Sequence, residues 1–280
     1  MKITALIENN TRNEEFVAQY GLSLFVETEH GNIVVDAGQD ECALANFQAL
    51  GYSENAINAI FVSHNHYDHI GGLQSFIDAT AKNKTPVYAS SAVGRDLYTK
   101  KFLHRRKLVS RNELFTSNPD RFVFVDDQTE IFPSVYACRV ANPNPEFACK
   151  DKKLRMLGQN GKLVPDDFTH EIYLAVIEND TVKIVSSCSH NGIVNIVEDA
   201  KSRFNLPVSA FVGGLHFRGS SSRALNCSKK YAYKVFDKIE SLDIGKICTC
   251  HCTGYPAYKM LKGVVSCPVR YFGTAEKFNV

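Results

Sequence analysis

The chain has 280 residues, of which 44% are hydrophobic and 22% charged, with a formal net charge of +2. That length can bury a sizeable core in one large domain or two small ones. The near-neutral balance gives no case for a nucleic-acid partner, and no window has the roughly eighteen apolar residues of a membrane span.

The opening run Met1-Lys2-Ile3-Thr4-Ala5-Leu6-Ile7-Glu8 meets a charge too early for a signal peptide and reads as a first strand over 2–8. The nine cysteines are an odd number, which points to free thiols in a reducing cytoplasm. Strands are predicted at 22–28 and 32–35 around the turn Glu29-His30-Gly31-Asn32. Asp36-Ala37-Gly38 follows, then a helix from Glu41 to Leu50 stopped by Gly51.

The strand 57–63 delivers the most informative stretch, Ser63-His64-Asn65-His66-Tyr67-Asp68-His69-Ile70-Gly71-Gly72. Three imidazoles and a carboxylate lie within six residues, His64 to His69. Neutral imidazole nitrogen and carboxylate oxygen are ligands for zinc, iron or manganese. In extended backbone His64 and His66 share a face, because side chains repeat with period 2. Asp68 and His69 come after the chain has begun to turn, so they face a second direction and could hold a second ion. Gly71 and Gly72 permit tight backbone before a helix over 72–79.

Beyond the short strand 86–89, residues 100–111 carry six Lys or Arg and no acid. The run reads as a solvated helix face, or else as the lining of an approach for an anionic substrate. Strands are predicted at 122–125 and 131–140. Asn142-Pro143-Asn144-Pro145 opens a polar loop that lasts to about Phe168 and covers one rim. Two strands over 171–178 and 182–187 flank the hairpin turn Asn179-Asp180. Next come the turn Ser187-Cys188-Ser189-His190-Asn191-Gly192, a strand 208–212 ending in Gly213-Gly214-Leu215-His216, and a helix over 228–241. A strand 244–249 ends in Cys250-His251-Cys252-Thr253-Gly254, a short helix runs to Lys262, and a last strand lies at 269–272. Apolar strands thus end in a histidine near glycine at His64, His190, His216 and His251, and strand ends are where α/β sheets present their chemistry. Cys248, Cys250 and Cys252 alternate along one strand without a Cys-x-x-Cys knuckle, so a structural zinc is not expected and the first two read as core packing.

The string His-x-His-x-Asp-His after an apolar strand, with Gly-Gly behind it, resembles the signature of the metallo-β-lactamase superfamily, which includes glyoxalase II, ribonuclease Z, lactonases and flavodiiron proteins. The resemblance implies an α/β fold, a four-layer αββα sandwich of two facing mixed β-sheets with helices outside. It implies a single domain over 1–280 with a loop insertion at about 142–168. It also implies two metal positions. His64 and His66 would be joined by a middle histidine, for which His190 is the candidate. Asp68 and His69 would be closed by a final histidine, a position that His251 matches. Asp36 corresponds to a buttress of the metal loop rather than a ligand.

The sequence departs from the superfamily in one place. A bridging aspartate usually follows glycine at the end of a strand like 182–187, and here the residues are Ser187-Cys188. Cys188 as a thiolate, or Glu171 beside His170, are the alternatives, and unequal occupancy of the two positions is expected. The motifs around His190, His216 and His251 resemble a subgroup that includes archaeal dihydropterin–ribofuranosylaminobenzene phosphate synthase.

The expected function is a metal-dependent hydrolase of an ester, lactone or phosphoester. An ion would bring a bound water toward neutral pKa as the attacking hydroxide. Zinc is the expected metal, one or two ions per chain, with manganese and iron as the other candidates. Asp68 would hold metal and orient the water, and His216 would serve the leaving group or the developing charge. A small, anionic substrate is expected, with neither nucleic acid nor membrane as partner, and a homo-oligomer is compatible with the sequence. The alternatives are a transferase joining a dihydropterin to an arylamine phosphate, an iron redox protein on the same fold, and a degenerate binding fold.

Overall fold

The computed structural model describes residues 1–101, 104–109, 112–151, 153–158, 160–221 and 223–280, with backbone alone for 100, 101, 104–109, 112 and 113. The chain begins with β1 (Lys2–Ile7), β2 (Ser23–Glu27) and β3 (Asn32–Val35), then α1 (Cys42–Ala49) and β4 (Ala59–Val62). The helical turn α2 (Tyr67–Ile70), α3 (Leu73–Ala79) and β5 (Val87–Ser90) follow. The middle holds β6 (Leu97–Lys101), β7 (His104–Val109), α4 (Asn112–Ser117), β8 (Phe122–Val125), β9 (Gln128–Phe132), β10 (Val135–Cys138), β11 (Leu154–Leu157) and β12 (Leu163–Pro165). The last part runs β13 (Tyr173–Glu178), β14 (Thr181–Val185), α5 (Ile193–Phe204), β15 (Val208–Gly213), α6 (Lys229–Glu240), β16 (Ile247–Thr249), α7 (Tyr255–Lys262), β17 (Val269–Tyr271) and β18 (Lys277–Asn279).

Among the described residues, two seven-stranded sheets form, in the orders β18-β1-β2-β3-β4-β5-β8 and β17-β16-β15-β14-β13-β10-β9. Each is mixed: β1 to β3 pair antiparallel while β3, β4, β5 and β8 run parallel, and β10, β13 and β14 pair antiparallel while β14 to β17 run parallel. The alternation of side chains explains why the strands are apolar on both faces. Ile33, Val35 and Phe61 point into a core shared with Leu174, Val185, Val212 and Phe272 of the other sheet. Their neighbours Val34, Ile60 and Val62 point outward, against Phe47 of α1 and Phe76 of α3. On the second sheet Ile184 and Phe211 pack outward beneath Val194 and Val197 of α5, Phe236 of α6 and Leu261 of α7. Two sheets face one another with helices outside, which is the αββα sandwich. No helix among the described residues is long and apolar enough to cross a membrane.

Several expected elements differ. Residues 131–140 are not one strand: Ser134 adopts φ 64° and folds β9 back on β10. The basic stretch 100–111 does not form a helix face; its described backbone lies in β6 and β7, which pair antiparallel. The stretch 142–168 was expected as loop. It carries β11 and β12, and β11 pairs with β6, so these strands build a small third sheet, β12-β11-β6-β7. The C-terminal β18 was not expected, and it closes the first sheet on β1.

The parallel strands β3, β4, β14, β15 and β16 send their following turns to one rim. Four of those turns hold a non-glycine residue at positive φ: Asp36 (58°), Ser189 (56°), His216 (51°) and His251 (49°). Each such residue costs about 1–3 kcal/mol, and such strain gathers where a side chain must be aimed.

Candidate metal centre

His64 and His66 follow β4 in extended backbone, with His66 at φ −99°, ψ 145°, and the single turn α2 then swings Asp68 and His69 inward. The loop is clamped from behind. A Cβ at Gly71 would lie 1.9 Å from the Gln39 carbonyl oxygen, and one at Gly72 would lie 2.1 Å from that of Asp40. Ala37 N donates to the His69 carbonyl at 2.7 Å. These close approaches, rather than helix initiation alone, are why two glycines stand there.

The sequence candidates converge as two groups. The ligand atoms of His64, His66 and His190 lie within 4.8 Å of one another. Beside them, Asp68 Oδ2 is 3.6 Å from His69 Nε2 and 3.4 Å from His251 Nε2. Cys188 joins the groups: its Sγ is 3.2 Å from His69 Nε2 and within 4.8 Å of a ligand atom of His64. It therefore occupies the place where a bridging carboxylate was expected. Glu171 does not. Its two oxygens accept from His190 N at 2.6 Å and Asn191 N at 2.7 Å, so it holds the turn that presents His190.

Glu171 is one of three buried carboxylates with the same task. Asp36 accepts Ser63 N and Ser63 Oγ at 2.7 and 2.6 Å, and takes His69 Nδ1 at 2.7 Å. Glu8 accepts His251 N at 2.6 Å and Asn10 N at 2.7 Å. These bonds fix the tautomers. His69 donates from Nδ1 to Asp36. His64 donates from Nδ1 to Ser63 Oγ at 2.7 Å, whose own proton goes to Asp36, and His251 donates from Nδ1 to Asn9 Oδ1 at 3.0 Å. Each Nε2 lone pair is left facing the centre, the arrangement by which outer carboxylates and amides orient metal-binding histidines.

Buried nitrogens without a partner are rare, because each forfeits its hydration. Here Nε2 of His64, His66 and His251 and both nitrogens of His190 are buried and unpartnered among the described residues. A cation at the centre would satisfy them. Five imidazoles, one carboxylate and the Cys188 thiol fit zinc-class ions, with the thiol favouring softer metals over magnesium or calcium.

The electrostatics agree. Burial, reinforced by neighbouring imidazoles, lowers the pKa of His64 and His190 well below 6.5 and so keeps them neutral. Burial also lowers His66, partly offset by Asp166. For Asp68, burial acts upward, but His69 and His251 outweigh it and hold the carboxyl ionised far below its usual range. Burial pushes the Cys188 thiol up, so thiolate ligation there needs the ion itself to displace the proton.

His216 lies beyond His190, with ring centroids 4.2 Å apart and both nitrogens unpartnered. Burial acts to lower its pKa, but the thiols of Cys149 and Cys252 beside its ring reverse this and raise it. Sequence reasoning missed Cys149, Asp166 and His170, which come from the 142–168 stretch and its edge. Cys149 is tied to the site by its N–H to the His190 carbonyl at 2.8 Å. His170 accepts Asn65 N at Nδ1 (3.1 Å) and donates from Nε2 to Asp166 at 3.2 Å, so it is a hydrogen-bond relay with no free lone pair. Asp166 Oδ2 also stands 3.9 Å from His66 Nε2. Only the pair His66 and Asp166 brought together by folding could have signalled it. Cys248 and Cys250 are buried between the sheets, as expected for packing.

The sequence pattern of the metallo-β-lactamase superfamily matches residues 18–145. A relative in Methanocaldococcus jannaschii, 7,8-dihydropterin-6-methyl-4-(β-D-ribofuranosyl)-aminobenzene-5'-phosphate synthase, is 28% identical over 274 residues, 93% of this chain and 90% of its own. An uncharacterised protein of the same organism is 24% identical over 258 residues, 91% of this chain and 92% of its own. Among solved structures, a metal-dependent hydrolase of the β-lactamase superfamily superposes with a TM-score of 0.82 at 24% identity, over 100% of this chain and 99% of that one. Zinc-bound PqqB from Methylobacterium extorquens gives 0.55 at 10% identity, with both chains covered in full, 100% each.

Proposed function

We propose that the chain is a member of the metallo-β-lactamase superfamily and a metal-dependent hydrolase acting on an ester, lactone or phosphoester of a small anionic molecule. The observation that carries this reading is the set of buried, unpartnered imidazole nitrogens of His64, His66, His190 and His251, facing one another around Asp68. In the proposal His64, His66 and His190 would hold one ion, Asp68, His69 and His251 would hold a second, and Cys188 would be a ligand shared by the two groups. The expected ion is zinc, with manganese and iron as alternatives, and when bound it supplies a Lewis acid and lowers the pKa of coordinated water.

The chain's own residues do the rest. Asp68, kept ionised by His69 and His251, would help hold the ion and would orient the attacking water as a hydrogen-bond acceptor. His216, raised toward its protonated form and with its ring centroid 4.2 Å from that of His190, would give a proton to the leaving oxygen. Asp36, Glu8 and Glu171 hold the three loops rigid, so little reorganisation is needed during reaction. The nine free thiols support a reducing cytoplasm as the location.

A second reading is a transferase that joins a dihydropterin to an arylamine phosphate. It is favoured by the extent of likeness to the named synthase, 93% of this chain at 28% identity. In that reading the same residues would hold the ion, which would supply a Lewis acid toward the pterin, and His216 would transfer a proton to the leaving group. Metal analysis of protein purified without chelator, followed by turnover of a generic phosphodiester and a lactone, tests the first reading. His66→Ala should remove bound metal and turnover together, and retained turnover would place the activity elsewhere. Mass-spectrometric detection of a pterin–arylamine adduct, with no hydrolysis of either test substrate, would favour the second.

A further inference from the structure

A cleft of about 510 Å³ adjoins the centre and is bounded at its inner end by His251. That volume falls in the range of small-molecule sites, about 300–1,000 Å³. Two cations line it, Arg12 and Arg218, together with three tyrosines, Tyr255, Tyr258 and Tyr271. Arg218 has no carboxylate partner among the described residues. Its guanidinium lies 5.1 Å from the centre of the Tyr20 ring, and that ring in turn lies 5.0 Å from the imidazole of His251. Arg12 is nearly free, its side chain 87% exposed and its nearest carboxylate, Glu276, 4.0 Å away. Glu276 is the acid in the lining, and it is already engaged by Arg270 and by Gly273 N. The cleft therefore presents two largely uncompensated positive charges.

Two further features point the same way. Gly254, at φ 73°, begins α7 in the lining of the cleft, with Arg218 packed against it. A side chain there would be strained by the φ of 73°, and its Cβ would come within 3.1 Å of Arg218 Cβ. The tyrosines form an aromatic wall: Tyr255 and Tyr258 lie 5.8 Å apart, and Tyr258 and Tyr271 meet edge-on at 5.5 Å. Arginine binds phosphate in bidentate fashion, and tyrosine faces accept a planar ring.

The geometry points to an aromatic phosphate monoester as the ligand of this cleft, its phosphate between Arg12 and Arg218 and its ring against Tyr258. The inference deepens the proposed function by naming the substrate class. It rests on that function only for what the cleft feeds, because binding itself needs no metal.

Calorimetric titration of the metal-free, full-length protein separates the two. Phenyl phosphate should bind at one saturable site, inorganic phosphate about ten-fold more weakly, and benzoate and phenol more weakly still. Arg12→Gln with Arg218→Gln should weaken phenyl phosphate at least ten-fold, about the loss of one charge-assisted bond. Arg12→Gln alone touches only an exposed side chain and should weaken it several-fold without altering the melting curve. Tyr258→Leu should reduce affinity for phenyl phosphate while leaving inorganic phosphate unchanged. His66→Ala should bind phenyl phosphate as the unaltered protein does, even where metal and turnover are lost. Equal affinity in the double arginine variant, benzoate binding as well as phenyl phosphate, or no saturable binding by cooperatively melting protein would overturn the assignment.

Discussion

Asp36→Asn tests whether one buried carboxylate sets the metal affinity of the whole centre. Asp36 has φ 58°, a left-handed conformation that asparagine adopts as readily as aspartate, so the backbone is not the perturbation. Oδ1 accepts Ser63 N at 2.7 Å, while Oδ2 accepts Ser63 Oγ at 2.6 Å and His69 Nδ1 at 2.7 Å. An amide keeps one oxygen and turns the other into a donor facing donors. At least one charge-assisted bond is lost, about 1.5–3 kcal/mol. At about 2–4 °C per kcal/mol for a chain near this size, the metal-free variant should melt roughly 3–12 °C lower. Without its acceptor, His69 can also carry its proton on Nε2, which withdraws the lone pair that faces Asp68 and Cys188. Metal affinity should then fall about 10–100-fold, or roughly 1.4–2.7 kcal/mol. Competition against a chromophoric chelator measures the affinity, and calorimetry of the metal-free protein measures the stability. A variant that melts like the unaltered protein and binds metal within about two-fold of it would refute the orienting role.

Replacing the metal with cobalt(II) should produce a near-ultraviolet sulfur-to-metal charge-transfer band, lost in Cys188→Ala but kept in Cys252→Ala; a band unchanged in the first variant would exclude Cys188 as a ligand. Cys188→Asp should bind both ions without the band. Gly72→Ala puts a methyl 2.1 Å from the Asp40 carbonyl oxygen and 2.3 Å from that of Ala37. It should cost more than about 3 kcal/mol in urea unfolding, beyond the common range for point changes, and a cost under about 1 kcal/mol would mean the loop is not clamped. In metal-free protein, His64, His66 and His190 have pKa values lowered by burial, so below pH 6.5 the unfolded chain takes up protons that the folded chain refuses. Stability should therefore fall as pH drops below 6.5, by at most about 4 kcal/mol per unit for three such residues. His69 and His216 are raised and act oppositely: their contribution is complete below 6.5 and is lost as pH climbs through their folded values. Unfolding midpoints that stay flat between pH 7 and 5 would contradict the burial of the three imidazoles.

The architecture was legible because apolar strands, turn residues and strand-end histidines are local signals. The edges of β3 and the pairing across Asn179-Asp180 came out as read, since both asparagine and aspartate there take φ 54°. Where local pattern and pairing disagree, pairing wins. Residues 100–111 looked like a charged helix, but a neighbouring strand supplied backbone partners and β6 and β7 formed instead. Likewise β11 and β12 have weak strand patterns and exist by pairing, and β18 is a three-residue strand whose backbone pairs with β1 and whose Phe278 enters the core beside Phe272.

At the site, the sequence by itself determined the chemistry of the metal loop, because His64, His66, Asp68 and His69 are neighbours in the chain and their alternation fixes which share a face. It also offered His190, His216 and His251, since each stands at a strand end. Tertiary structure alone decided how those ends meet. It brought Cys188 to within 3.2 Å of His69 and turned Glu171 away to hold a backbone turn. It set three buried carboxylates behind three loops, and it placed Arg12, Arg218 and the α7 tyrosines around one cleft. These residues are separated by up to more than two hundred positions, and no periodicity in a chain reports contacts that only the closing of two sheets creates.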